Sequence, residues 1–196
     1  MKSGYVYLKL TTDWIVSLML LALTSWLFVL IMMIYFVTGN RPLFFIQERI
    51  GKDDRPFKLY KFRTLKEANE SLQQRRFWLG DFMRYTSLDE LPQLINVLKG
   101  EMSLVGPRPL PIAYLGRFSQ AQRKRHLVMP GITGLAQVNG RNSITWAEKF
   151  DFDLYYVNNL SFVLDITIIL KTIVLLLSFR KDSSLQEKEF TGSNDT

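Results

Sequence analysis

Apolar positions run without interruption near the start of the chain and recur at helix or strand spacing after it. No charged residue occurs from Trp14 to Asn40, and Leu, Ile, Val, Met, Phe and Trp dominate Trp14 to Val37. A helix needs roughly 20 such residues to cover bilayer hydrocarbon. The run exceeds the roughly 7 to 15 apolar residues of a signal-peptide core. No small-x-small cleavage pattern stands near Thr38 and Gly39, so residues 14–37 are expected to remain in the membrane.

Gly39 to Pro42 reads as a turn, and the β-rich runs Leu43 to Ile50 and Pro56 to Arg63, joined by Gly51 to Arg55, predict a hairpin whose alternation fails at Leu59-Tyr60. Residues 66–80 are polar and basic, as a solvated helix or loop would be. Leu88, Leu91, Leu94, Ile95 and Leu98 fall at helical spacing. Ser119-x-x-Gln122 and Thr145-x-x-Glu148 are capping boxes, the first opening a basic helix that stops before Pro130-Gly131. Ile166 to Phe179, after Asp165, is apolar but short and broken by Lys171, which predicts an interfacial helix and not a second span.

The tail after Lys181 reads as disordered. The fold class expected is α+β and mostly helical: an N-terminal membrane helix, a β-hairpin, and amphipathic interfacial helices around a compact domain. The chain divides into a membrane anchor at 1–40, a cytoplasmic domain at 41–180 and a tail at 181–196.

Charge changes this picture in one respect. The net charge is +7, and residues 181–196 hold two Lys against four acids, so the body is strongly basic. Anionic lipid headgroups, phosphorylated substrates and nucleic acid all suit such a surface, and the membrane segment favours the first two. Arg41, Arg49, Lys52 and Arg55 follow the apolar run, which places the body on the cytoplasmic side. No cysteine is present, which excludes disulfides and thiolate metal sites.

Ser87-Leu-Asp-Glu90 matches a capping box, with Pro92 fitting better if the helix starts at or just after Asp89. The alternative is a pair of ionised carboxylates able to attack phosphorus or hold a divalent cation. Arg84, Arg108 between two prolines, and Arg141 in a glycine-bearing loop are candidate phosphate forks, each also readable as a structural arginine. Lys61 and Arg63 end the second strand, facing either solvent or a site. His126, the single histidine, reads as structural. No His/Cys cluster, P-loop or Gly-x-Ser-x-Gly elbow occurs, so zinc, ATP-driven and serine mechanisms lack support.

Residues 87–109, SLDELPQLINVLKGEMSLVGPRP, and 130–142, PGITGLAQVNGRN, resemble the bacterial sugar transferases, in the form of a small monotopic phosphoglycosyl transferase. The resemblance covers about residues 5–180. It implies that Asp89 attacks the β-phosphate of a UDP-sugar, that UMP leaves, and that undecaprenyl phosphate then takes the phosphosugar. It implies Mg²⁺ held by Asp89 and Glu90, phosphate and nucleotide binding by Lys61, Arg84, Arg108 and Arg141, and a bacterial cytoplasmic-membrane location. Similarity around Asn139 to Phe162 implies an N-acetylated amino sugar of the bacillosamine type.

Family members usually carry a Ser-Pro break that makes the membrane helix re-enter one leaflet. Here the pair is Ser25-Trp26, so re-entry would rest on Thr24 and Ser25 hydroxyls bending the helix. Two rival functions stay open: a glycosyltransferase that releases UDP, and a membrane-tethered module that binds anionic ligands.

Overall fold

A computed structural model describes residues 3–39, 42–67, 71–140, 143–178 and 189–192. Helix α1, Ser3–Thr38, is longer than the apolar run and continuous through Thr24 and Ser25. Those hydroxyls donate to the Leu20 and Ala22 carbonyls at 2.7 and 2.8 Å, the back-bonding expected of them.

Both flanks of α1 pack on the same body. Near its C-terminal end, Ile31 and Tyr35 are buried with Phe62, Leu79 and Met83. Near its N-terminal end Lys9 pairs with Asp165 at 2.8 Å and with Asp13 at 3.2 Å. Tyr5 donates to Asp165 at 2.6 Å, and Ser103 donates to Asp13 at 2.5 Å. Lys9 thus belongs to a buried polar cluster, which offsets the desolvation of its charge. Most of the exposed surface of α1 is apolar, Leu23 and Trp26 included.

The hairpin forms as β1, Phe44–Ile50, antiparallel to β2, Pro56–Phe62, with Phe44 opposite Phe62 and Ile50 opposite Pro56. Its alternation fails because β2 is buried on both faces: Phe57 and Leu59 pack on Val97 and Met102, whereas Phe62 packs on α1. Lys61 shares the face of Phe57 and Leu59.

The segment 66–80 yields the short α2, Leu72–Arg75, and the start of α3, Trp78–Thr86. A 3-10 turn at Leu88–Glu90 leads to α4, Gln93–Leu98. Strands β3, Ser103–Val105, and β4, Gly131–Thr133, pair in parallel. Both predicted capping boxes form, Ser119 opening α5, Gln120–Arg123, and Thr145 opening α7, Trp146–Asn158. Helix α6 is Leu135–Asn139, and α8 spans Phe162–Leu177, opening at Ser161 ahead of the predicted start. Asp165 lies buried in its first turn while Val163, Leu170, Val174 and Leu177 face outward.

One expectation is corrected. The tail was to be disordered from residue 181, yet Phe190 is fully buried among Ile50, Leu110, Phe118 and Phe150. Arg117 donates to its carbonyl and pairs with Glu189 at 2.8 Å. A polar segment gives no periodic signal of one ring that fills an aromatic pocket; residues 181–188 lie outside the described residues.

Candidate active site

The left-handed backbone of Ser87, φ 59°, ends α3 and turns the chain so that Asp89 and Glu90 meet β2 and the loop after β3. The capping-box reading of this segment fails. Ser87 makes no side-chain cap bond, and Glu90 Oε1 instead accepts from Lys61 Nζ at 2.6 Å and from Arg108 Nη1 at 3.3 Å. Pro92 stands just before α4, so the carboxylates precede that helix by a turn.

Neighbouring cations therefore hold Glu90 ionised. Burial pushes its carboxyl up, but Lys61 and Arg108, by charge and by hydrogen bond, outweigh burial and lower it to about 2. Its side chain is 19% exposed. Asp89 is buried to 9% exposure.

Lys61, Arg84, Asp89, Glu90 and Arg108 all line one cavity of about 440 Å³. Arg84 is anchored there by Asp81 and by the carbonyl and hydroxyl of Thr64 at 3.0 and 3.2 Å. Arg63 turns elsewhere, its guanidinium 3.7 Å from Glu67. Arg141 lies outside the described residues.

Two devices fix these groups, and neither has a local sequence signal. Asn96 is fully buried and donates to the Lys58 carbonyl and to Glu101 at 2.7 Å each, while accepting from Tyr60 N at 3.1 Å. It thereby ties β2, and with it Lys61, to α4. Arg125 pairs with Asp153 at 2.7 Å, both buried, and donates to the Arg108 carbonyl at 2.7 Å. Burial pushes the Asp153 carboxyl up against the pull of Arg125. The Arg108 loop also needs close backbone approach, since a Cβ on Gly131 would fall 2.1 Å from Gly106 N.

His126 is structural, as predicted: its Nδ1 is 2.6 Å from Asp54 and its ring is buried against Phe118. Burial first, then the nearby Arg125, lower it to about 4, with Asp54 pulling the other way.

The other wall of the cavity is apolar. Val16 and Leu20 of α1 line it, as do Ile169, Ile173 and Leu176 of α8. The site thus opens between the two helices whose outer faces are apolar.

Comparison with known proteins fits this arrangement. The family model for bacterial sugar transferase matches residues 4–179. The chain is 42% identical to the uncharacterized sugar transferase EpsL of Bacillus subtilis, over 96% of this chain and 98% of that one. It is 39% identical to the UDP-glucose:undecaprenyl-phosphate glucose-1-phosphate transferase of Escherichia coli and 38% to the undecaprenyl-phosphate galactose phosphotransferase of Salmonella typhimurium, over 85% and 91% of this chain. It spans 39% and 42% of the length of those two relatives. The chain belongs to the bacterial sugar transferase family, and it is an enzyme of the transferase class.

Proposed function

We propose that the enzyme transfers a phosphosugar from a UDP-sugar to undecaprenyl phosphate at the cytoplasmic face of the bacterial membrane, through a phosphosugar carried on Asp89. One observation carries this reading: the adjacent carboxylates Asp89 and Glu90 and three cations line a cavity whose other wall is formed by two outwardly apolar helices. A site built this way serves a charged soluble donor and a lipid acceptor in turn.

In the first step an Asp89 oxygen attacks the β-phosphorus, the bond from phosphorus to the bridging oxygen breaks, and UMP departs. In the second, the phosphate oxygen of undecaprenyl phosphate attacks the same phosphorus and Asp89 leaves as carboxylate. Arg84, Arg108 and Lys61 neutralise the diphosphate. Glu90 holds Lys61 and Arg108 in place.

The described residues contain no cluster of three or more metal-ligating side chains, so a cation here would depend on substrate oxygens. Two adjacent carboxylates fit Mg²⁺, which binds through one or two carboxylates plus phosphate and water. Asp89 and Glu90 would hold it, and when bound it supplies further positive charge to the diphosphate.

The docking of both flanks of α1 on one body supports re-entry from one face over crossing. The exposed apolar rows of α1 and α8, with Trp78 and Phe82 of α3, would then lie at the lipid interface. Identifying the nucleotide released from a panel of UDP-sugars, with undecaprenyl phosphate and Mg²⁺, tests the reading. UMP supports it, UDP refutes it, and Asp89→Asn at wild-type turnover would refute the nucleophile.

A further inference from the structure

The reaction uses the carboxylate pair and three cations, but the same cavity has a wall that the chemistry leaves unexplained. Helix α7 presents Trp146, Lys149, Phe150 and Asp153 to it, one helical face by spacing. Arg125, 3% exposed, lies against this face, with its guanidinium carbon 5.6 Å from the Phe150 ring centre.

Asp153 and the Arg108 carbonyl take Nε and Nη2 of Arg125, and Nη1 is buried with no hydrogen-bond partner. Gln137, on the adjoining α6, lines the same cavity. Its Nε2 donates to the Ile132 carbonyl at 2.9 Å, and its Oε1 is buried with no partner. Arg125 and Gln137, each holding one unpartnered buried atom, therefore line the same cavity as the aromatic face of α7. Buried groups of this kind cost about 1–3 kcal/mol each when left unpaired. A ligand that pairs both removes that cost.

We infer that this wall is the subsite for the uracil of the donor nucleotide, with Gln137 Oε1 accepting from N3–H and Arg125 Nη1 donating to a flanking base carbonyl. The inference rests on the reaction proposed above for its choice of nucleotide. A planar imide edge alternates acceptor, donor and acceptor, which matches what the two side chains leave over. A hexose ring has several hydroxyls, each both donor and acceptor, and needs more polar partners than these two orphan atoms provide. The apolar wall of α1 and α8, facing lipid, suits the acceptor's chain, which leaves α7 for the nucleotide.

Arg125 also reaches Arg108, so the base subsite and the phosphate fork share one support. Binding of the base would settle the guanidinium that orients the Arg108 carbonyl.

The test is titration calorimetry on the full chain in lipid nanodiscs, with UMP, N3-methyl-UMP and ribose 5-phosphate as ligands. Wild type should bind UMP about five- to tenfold more tightly than N3-methyl-UMP, one hydrogen bond's worth. Gln137→Met should bind the two alike, with unchanged affinity for ribose 5-phosphate. Arg125→Lys keeps a cation for Asp153 and should weaken UMP by more than it weakens ribose 5-phosphate.

Equal binding of UMP and its N3-methyl form by wild type overturns the inference, and so does a Gln137→Met variant that still discriminates. Unchanged UMP binding with altered selectivity among UDP-sugars would also overturn it, assigning the wall to the sugar. Binding needs no turnover. A chain that binds UMP as described but releases none from any UDP-sugar would leave this subsite standing and refute the reaction.

Discussion

Lys61→Met removes the ammonium 2.6 Å from Glu90 while keeping most of the apolar stem. In the intact site the Glu90 carboxyl is pushed up by burial and pulled down further by Lys61 and Arg108, from 4.5 to about 2. That difference is roughly 3 kcal/mol in favour of the carboxylate. Losing Lys61 removes a charge and a hydrogen bond together. Arg108 remains, 3.3 Å away on a side chain 37% exposed, and burial still acts.

The carboxyl of Glu90 must then rise, and the acid limb of the activity profile must rise with it. The assay is the initial rate of UMP release at low UDP-sugar concentration across pH 2 to 8, a window that includes the depressed carboxyl. The acid limb of Lys61→Met should lie at least about one pH unit above that of wild type, apart from any fall in overall rate. Stability follows the same sign. A depressed carboxyl contributes stability above pH 4.5 that is lost as pH falls toward 2, so the variant has less to lose over that range. A lower rate with the acid limb unmoved would refute the argument, reducing Lys61 to a phosphate ligand with no hold on Glu90.

Three further outcomes follow from the packing. Asn96→Ala leaves the Lys58 carbonyl and Tyr60 amide without their side-chain partner; a loss of roughly 3 kcal/mol, or about 6–12 °C in melting temperature, is expected by thermal scan. Phe190→Ala opens a cavity among Phe118, Trp146 and Phe150 and should cost about 3 kcal/mol or more, whereas a disordered tail would show no change. His126, lowered to about 4, destabilises the fold as pH falls from 6.5 toward 4, because the unfolded chain takes a proton the folded one refuses. At pH 5 this amounts to about 2 kcal/mol, and the drop in melting temperature between pH 7 and 5 should shrink in His126→Phe.

Features set within a few residues were legible in the sequence. The hairpin from Phe44 to Phe62 and both capping boxes formed where the turn and cap residues stood. Ser87-Leu-Asp-Glu90 shows the limit of such reading, because the cap pattern is present and the cap is not. What captures Glu90 is Lys61, 29 positions earlier, and Arg108, 18 positions later. The same distance in sequence hid Arg125 with Asp153, 28 positions apart, and Asn96 with β2. Lys9 likewise finds its partner Asp165 on α8, far along the chain. Pairings of this kind depend on the tertiary fold and leave no period in the chain.

The proposed reaction passes the phosphosugar through Asp89. Purified enzyme mixed with UDP-sugar in the absence of undecaprenyl phosphate, and weighed intact by mass spectrometry, tests it most directly. Wild type should become heavier by one phosphosugar, with UMP released in equal amount, loss of the adduct when undecaprenyl phosphate is added, and no adduct in Asp89→Asn. An enzyme that makes product with no adduct on wild type, or that carries one equally in Asp89→Asn, would contradict it.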